Sequence, residues 1–155
     1  GLIAIIGLSG CLKNADQSCD ATYDPCALVA PASEIQAVQT YLTNNGITAT
    51  QHCSGLFYRI EQPGSGTTPN ICSTVRVNYE GKLTNNTVFD ATTTLPANLN
   101  LSGLITGWKN GLPHIKPGGR IHLYIPPSLG YGNVDYGPIP ANSVLVFRVD
   151  LVAVL

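Results

Sequence analysis

Residues 75–83 read Val75-Arg76-Val77-Asn78-Tyr79-Glu80-Gly81-Lys82-Leu83. Val75, Val77 and Tyr79 alternate with Arg76, Asn78 and Glu80, and because successive strand side chains point to opposite faces, this period of two predicts a half-buried strand. Asn85 and Asn86 follow, ahead of Thr87, Val88 and Phe89; Asn tolerates positive φ, so a hairpin turn is expected there. Upstream, Leu56, Tyr58 and Ile60 alternate with Phe57, Arg59 and Glu61. Downstream, Ile121, Leu123 and Ile125 and then Leu145, Phe147, Val149 and Leu151 repeat the same spacing. Residues 91–108 carry no charge, yet Thr, Asn and turn breakers interrupt them, so they line something rather than span a membrane. Within and just after them Leu104, Ile105, Trp108 and Leu112 have helical spacing, and Gly111 and Pro113 end that run within about two turns. The sum is an α+β fold, a strongly twisted antiparallel sheet wrapped around one short helix.

Ahead of the strands, a helix is expected from Ser33, which can cap a first turn with Gln36 as its reciprocal partner. Ile35, Val38 and Leu42 fall on one face, and Asn44-Asn45-Gly46 stops the run. This predicts four segments: 1–10, a truncated export signal; 11–31, a polar, Pro-interrupted tether; 32–53, a helical extension; and 54–155, the main domain.

Composition removes several classes of function. Only 11% of the 155 residues are charged, against about 25% in ordinary soluble proteins, while 44% are hydrophobic, enough for a real core. Eight Lys and Arg against nine Asp and Glu leave a net charge of −1, which offers no basic field for nucleic acid. Methionine is absent, so the initiator is expected to lie upstream of Gly1.

The first residues, Gly1 to Cys11, are GLIAIIGLSGC. An uncharged Leu- and Ile-rich run closing on small residues has the form of an export signal, and it is shorter than the roughly 20 apolar residues that cross a bilayer. Leu8-Ser9-Gly10-Cys11 resembles the lipobox of bacterial lipoproteins, which implies lipidation of Cys11 and a membrane anchor. A buried first strand followed by an ordinary cysteine is the alternative. The lipobox favours a bacterial source, so Asn85 with Thr87 is read as a turn rather than as a glycosylation sequon. Four cysteines remain, Cys19, Cys26, Cys53 and Cys72, an even number in a compartment that permits disulfides. Three pairings are possible, and Cys19 with Cys26 and Cys53 with Cys72 are favoured as the local ones. No two cysteines have zinc-site spacing and His52 merely precedes Cys53, so no metal and no cofactor are expected.

Five strings occur in order: VRVNYEGKL (75–83), VFDAT (88–92), LITGWKNGL (104–112), IPPSLGYG (125–132) and IPANSVLVFRVDL (139–151). Together they resemble the FKBP family of macrolide-binding peptidyl-prolyl cis-trans isomerases, from about Ser54 to the C-terminus. The resemblance implies an apolar pocket floored by Trp108, with Tyr79, Phe89, Asp90, Tyr131 and Phe147 as catalytic residues. It implies substrate contacts from Leu104, Ile105, Tyr136 and Ile139, Ile105 through its amide and Tyr131 through its hydroxyl. The family's further pocket aromatic falls on Ala97, so the pocket is expected to be wider there or closed by Leu99. The loop around Tyr136 is one residue shorter than the family pattern.

The implied reaction needs neither nucleophile nor metal, and His52, His114 and His122 have no triad-like company. The expected function is prolyl isomerisation of exported polypeptides at a bacterial cell envelope, with proline-containing chains and macrolides as partners. A binding module or holdase using the same pocket without turnover is the second reading, and a structural lipoprotein with a vestigial pocket the third. The sequence sets no oligomeric state.

Overall fold

Every strand contact in the computed structural model, which describes residues 19–155, is antiparallel. In chain order the elements are α1 (Ala32–Asn44), β1 (Thr50–Gln51), β2 (Phe57–Gln62), β3 (Thr74–Leu83), β4 (Val88–Ala91), β5 (Ala97–Asn100), α2 (Thr106–Gly111), β6 (Arg120–Ile125) and β7 (Leu145–Val154). The sheet runs β1-β2-β6-β7-β3-β4, with β5 also paired to β3. Its spine is β3 against β7, ten residues each, in a register that sets Tyr79 opposite Val149 and Gly81 opposite Phe147.

The alternation that defines β3 buries Val75, Val77 and Tyr79 on one face, where they join Ile121, Leu123, Ile125, Leu145, Phe147, Val149 and Leu151 in the main core. Helix α2 lies on this face against β6 because two of its residues lack a Cβ. A methyl on Gly107 would come within 2.6 Å of Ile125, and one on Gly111 would collide with Leu123. The hairpin after β3 turns at Asn86, whose φ is +69°, and the Leu83 N–H closes it on the Thr87 carbonyl at 2.9 Å.

The opposite face holds a smaller core, Val38 and Leu42 of α1 against Phe57, Tyr124 and Val146. That packing corrects the reading of β2. Phe57, placed by alternation on the polar side, is 5% exposed because α1 covers it, whereas Ile60 is 41% exposed. The cap of α1 is corrected as well. Pro31 holds the cap position at ψ 150° with no side-chain cap bond, and its carbonyl accepts the Glu34 and Ile35 N–H groups, so the helix starts one residue before Ser33. The helix ends through Gly46 at φ +63°.

The disulfides differ from the local pairing expected. Cys19 joins Cys72 and Cys26 joins Cys53, with Cα separations of 5.3 and 5.5 Å. Asp20 and Asp24 each accept the N–H of the residue two further on, Thr22 and Cys26. Residues 19–27 therefore run as successive turns along the domain, and each cysteine meets a distant partner instead of the other. Cys11 lies outside the described residues. Among those residues no helix is long and apolar enough to cross a membrane.

Candidate active site

Three strands and α2 bring together the residues named from sequence, and Gly81 makes their packing possible. It faces Phe147 across β7 and Asp90 across β4. A Cβ there would lie 2.5 Å from Phe147 and 2.7 Å from Phe89. Without it the two rings meet edge to face at 5.5 Å. Trp108 continues the chain, edge-on to Phe147 at 5.4 Å and to Tyr79 at 5.4 Å. Such pairs contribute about 0.5–1.5 kcal/mol each beyond area burial, by quadrupole complementarity. The Trp108 Nε1 is buried without a hydrogen-bond acceptor, an arrangement that ring faces nearby make less costly than a wholly aliphatic surround would. Trp108 and Phe147 have no exposure, while Tyr79 is 5% and Phe89 8% exposed, so the row of rings touches solvent only at its two ends.

A polar pair adjoins the rings. The Tyr79 hydroxyl donates to the Asp90 carboxylate at 2.8 Å. Burial first, then this bond and the carboxylate charge, hold the phenol well above its ordinary range, so Tyr79 remains a hydroxyl throughout neutral pH. Thr92, which sequence reading did not single out, fixes the pair. Its Oγ1 accepts the Tyr79 N–H at 3.0 Å, and its own N–H donates to the Tyr79 carbonyl at 3.0 Å.

Leu104, Ile105 and Ile139 are buried in the same cluster, and Ala97, Leu99, Tyr131 and Tyr136 pack half-buried against it. Ala97 and Leu99 share one face of β5, opposite Val77 and Val75. Tyr131 and Tyr136 stack at 4.3 Å with planes 9° apart, and reciprocal backbone bonds of 2.8 and 2.9 Å join Tyr136 to Ile139. The Ile105 carbonyl accepts the Trp108 and Lys109 N–H groups, at 3.0 and 3.2 Å. Four surface recesses of 280 to 670 Å³ are lined by none of Tyr79, Phe89, Trp108 and Tyr131.

The N-terminal extension reaches this site at two places, through contacts with no local trace in the sequence. The Tyr23 hydroxyl donates to Asn110 at 2.6 Å, and the Asn110 amide donates to the Pro25 carbonyl at 3.1 Å. Asn110 is 2% exposed and stands two residues beyond Trp108 on α2. On the other side, Ser128 gives its N–H, at 2.6 Å, and its hydroxyl to the Glu34 carboxylate. Ser128 lies in the short turn that leads to Tyr131.

Cys26, His52 and Cys53 place three metal-type donors within 4.8 Å of one another, but the two sulfurs are bonded to each other. His52 instead bonds Ser54 at 2.8 Å, and His114 stacks on Tyr58 at 4.3 Å. His122 pairs with Glu61 on the outer face.

A twisted antiparallel sheet closed over a short helix, with a tryptophan wedged edge-on between a phenylalanine and an acid-bonded tyrosine, is an FKBP-like fold. The chain belongs to the FKBP-type peptidyl-prolyl cis-trans isomerase family, whose model matches residues 65–152. It is 45% identical over 103 residues to the FKBP-type peptidyl-prolyl cis-trans isomerase FkpA of Escherichia coli K12, covering 65% of this chain and 38% of that protein. It is 41% identical over 104 residues to the peptidyl-prolyl cis-trans isomerase Mip of Coxiella burnetii, covering 65% of this chain and 45% of the relative. A peptidyl-prolyl cis-trans isomerase structure from Pseudomonas syringae superposes with a TM-score of 0.69 at 29% identity, covering 81% of this chain and 96% of that one. The chain thus spans less than half the length of the two curated relatives.

Proposed function

We propose that this chain accelerates cis-trans rotation about X-Pro bonds in polypeptides. The observation that carries the reading is the continuous contact Phe89–Phe147–Trp108–Tyr79, ending in the Tyr79–Asp90 bond. Amide resonance gives the C–N bond its barrier of about 18–20 kcal/mol, and twisting the bond destroys that resonance. Water bonded to the carbonyl stabilises the polar planar amide. An apolar surround withdraws that stabilisation from the planar form more than from the twisted one, and every 1.4 kcal/mol or so taken from the barrier is about tenfold in rate.

In this mechanism Trp108, Phe89, Phe147 and Ile105 hold the prolyl ring. The Ile105 N–H, at the start of α2, and the Tyr131 hydroxyl fix neighbouring carbonyls, and the stack of Tyr131 on Tyr136 holds that hydroxyl in place. Leu99, Leu104 and Ile139 supply apolar wall around the residues flanking proline. Asp90 orients the Tyr79 hydroxyl and places negative charge near the twisted amide carbon. No bond is made or broken in the chemical step, so orientation and desolvation carry the catalysis. Macrolides that present a prolyl-like ring would compete for the same surface.

We place the protein at a bacterial cell envelope, tethered through lipid on Cys11 and acting on exported clients. The Leu8-Ser9-Gly10-Cys11 string and two disulfides support this. The test of activity is the relaxation rate of a short X-Pro peptide after a jump in cis content. Acceleration by the parent, lost in Trp108→Ala and reduced in Asp90→Ala, is expected. No acceleration by the folded parent refutes the isomerase reading. For the anchor, the intact mass of protein expressed with its own signal should carry acyl chains on Cys11.

A further inference from the structure

On the face of the sheet opposite the aromatic site, strand register sets three cation-capable side chains in one row. Arg59 on β2 faces His122 on β6, and His122 faces Arg148 on β7. Arg148 in turn faces Glu80 on β3, and Lys82 follows two residues along the same face of that strand. Like charges directly opposite one another destabilise a sheet. The fold relieves this row in part: the His122 Nε2 lies 2.6 Å from the Glu61 carboxylate, whose charge also acts on Arg59, and the Lys82 Nζ donates to the Asn86 Oδ1 at 3.1 Å. Among the described residues no carboxylate comes within ion-pair distance of Arg59, Lys82 or Arg148.

These three line a recess of about 280 Å³ walled by Tyr41, Ile47, Tyr124 and Val146, and Glu80 is the one carboxylate in its lining. In a chain of net charge −1 with eight Lys and Arg in all, three of the eight gather at one small concavity. Adjacent strands lie about 4.8 Å apart, so the Cα atoms of Arg59 and Arg148, on either side of β6, are separated by roughly 10 Å. Two long guanidinium side chains can close over that gap from both sides. Their planar forks match a tetrahedral oxyanion, and Lys82 adds a third charge from the next strand.

We propose that this recess binds a phosphate group, either on a soluble phosphate or on an anionic lipid headgroup. Three cations, against Glu80 in the lining and Glu61 held on His122, leave an excess of positive charge that suits an oxyanion better than a neutral ligand. Tyr41 and Ile47, half-buried at the rim of the recess, leave apolar surface for whatever the phosphate is attached to.

The test is a titration of the 155-residue chain with inorganic phosphate, followed by 15N NMR at constant ionic strength with chloride as the reference. Saturable shifts confined to Arg59, Lys82, His122 and Arg148 are expected. Arg59→Gln and Arg148→Gln should each weaken binding by about tenfold or more, Arg148→Lys should restore part of the loss, and Glu80→Gln should tighten binding. Near-ultraviolet circular dichroism checks that each variant keeps its fold. Shifts that spread without saturation over Arg76, Lys109 and Lys116, or affinities unchanged in both Arg variants, overturn the proposal. A second arm compares sedimentation with phosphatidylglycerol and phosphatidylcholine vesicles. Retention on phosphatidylglycerol that both Arg→Gln variants lose assigns the phosphate to a lipid. Phosphate binding without such retention assigns it to a soluble compound, and failure in both arms refutes the site.

Discussion

Replacing Gly81 by alanine tests whether the aromatic cluster works as one packed unit. The added Cβ would stand 2.5 Å from Phe147 and 2.7 and 2.8 Å from two atoms of Phe89. Ordinary carbon contacts begin near 3.4 Å, so the nearest ring must retreat by 3.4 − 2.5, roughly 0.9 Å, with Phe147 held by Trp108 behind it. Overpacking of this size costs about 1–3 kcal/mol. Alanine returns about 0.4–1 kcal/mol by restricting the unfolded chain at a position without positive φ, leaving a net loss between about 0 and 2.6 kcal/mol. The protein should therefore remain folded. Its activity should fall much further, by about 10- to 100-fold, because a shift near 1 Å in a positioning ring removes the fit around proline. Urea denaturation gives the first quantity, and the isomerisation rate of an X-Pro peptide, measured well below the denaturation midpoint, gives the second. A stable Gly81→Ala protein with activity within about threefold of the parent would refute the idea that the Phe89–Phe147 contact shapes the site.

Other expectations concern the extension and the pH response. In Cys53→Ser the thiol set free should be Cys26, identified by maleimide labelling and peptide mass; a free Cys72 would restore the local pairing. Losing the Cys19–Cys72 link, which spans 53 residues, should cost about 4 kcal/mol by loop-closure entropy, read as a lowered urea midpoint under reduction in the Cys26→Ser/Cys53→Ser background. Burial holds His52 and His114 below the ordinary imidazole range, His114 also through the charge of His52. Depressed folded-state values contribute stability present above about pH 6.5 and lost as pH falls through them. The melting temperature should accordingly drop on acidification, and His114→Phe, which keeps the stack on Tyr58, should flatten the drop; an unchanged slope counts against this assignment. Asn110→Ala leaves the Tyr23 hydroxyl and the Pro25 carbonyl unpaired, at about 1–3 kcal/mol. The same change should lower kcat/KM for peptide isomerisation, whereas a loss of stability alone would make Asn110 purely structural.

What the sequence made legible follows from the range over which each signal acts. Period-two alternation is a property of neighbouring residues, so β3, β6 and β7 and their buried faces could be read directly. Phe57 and Ile60 were misplaced because their burial depends on α1 lying across β2, a tertiary fact with no local trace. The aromatic cluster could be named because five strings resemble a known family, but Gly81 and Thr92 could not. A glycine in a strand and a threonine after one look ordinary until register places two phenyl rings and the Tyr79 backbone beside them. Cysteine pairing failed for a similar reason. Proximity in sequence favoured Cys19 with Cys26, whereas two successive Asx turns carry the segment along the domain.

The extension changes what the short helix means. Without the extension, α2 would be fixed by the contacts of Gly107 and Gly111 with β6 and by the core beneath Trp108. Here Asn110 also bonds a segment held to the domain by two disulfides, and Glu34 holds the turn leading to Tyr131. Two groups proposed to hold substrate, Trp108 and Tyr131, are thus steadied by neighbouring stretches of one N-terminal segment, Tyr23–Pro25 and Glu34. Each hydrogen bond is individually modest, about 0.5–1.5 kcal/mol net, or 1.5–3 where a charge takes part. Their effect lies in joining α2 and the Tyr131 turn through a third body, so that displacement of either is opposed by the sheet and by the stapled segment together. A site that depends on orientation and desolvation, with no bond made or broken, gains most from that kind of restraint.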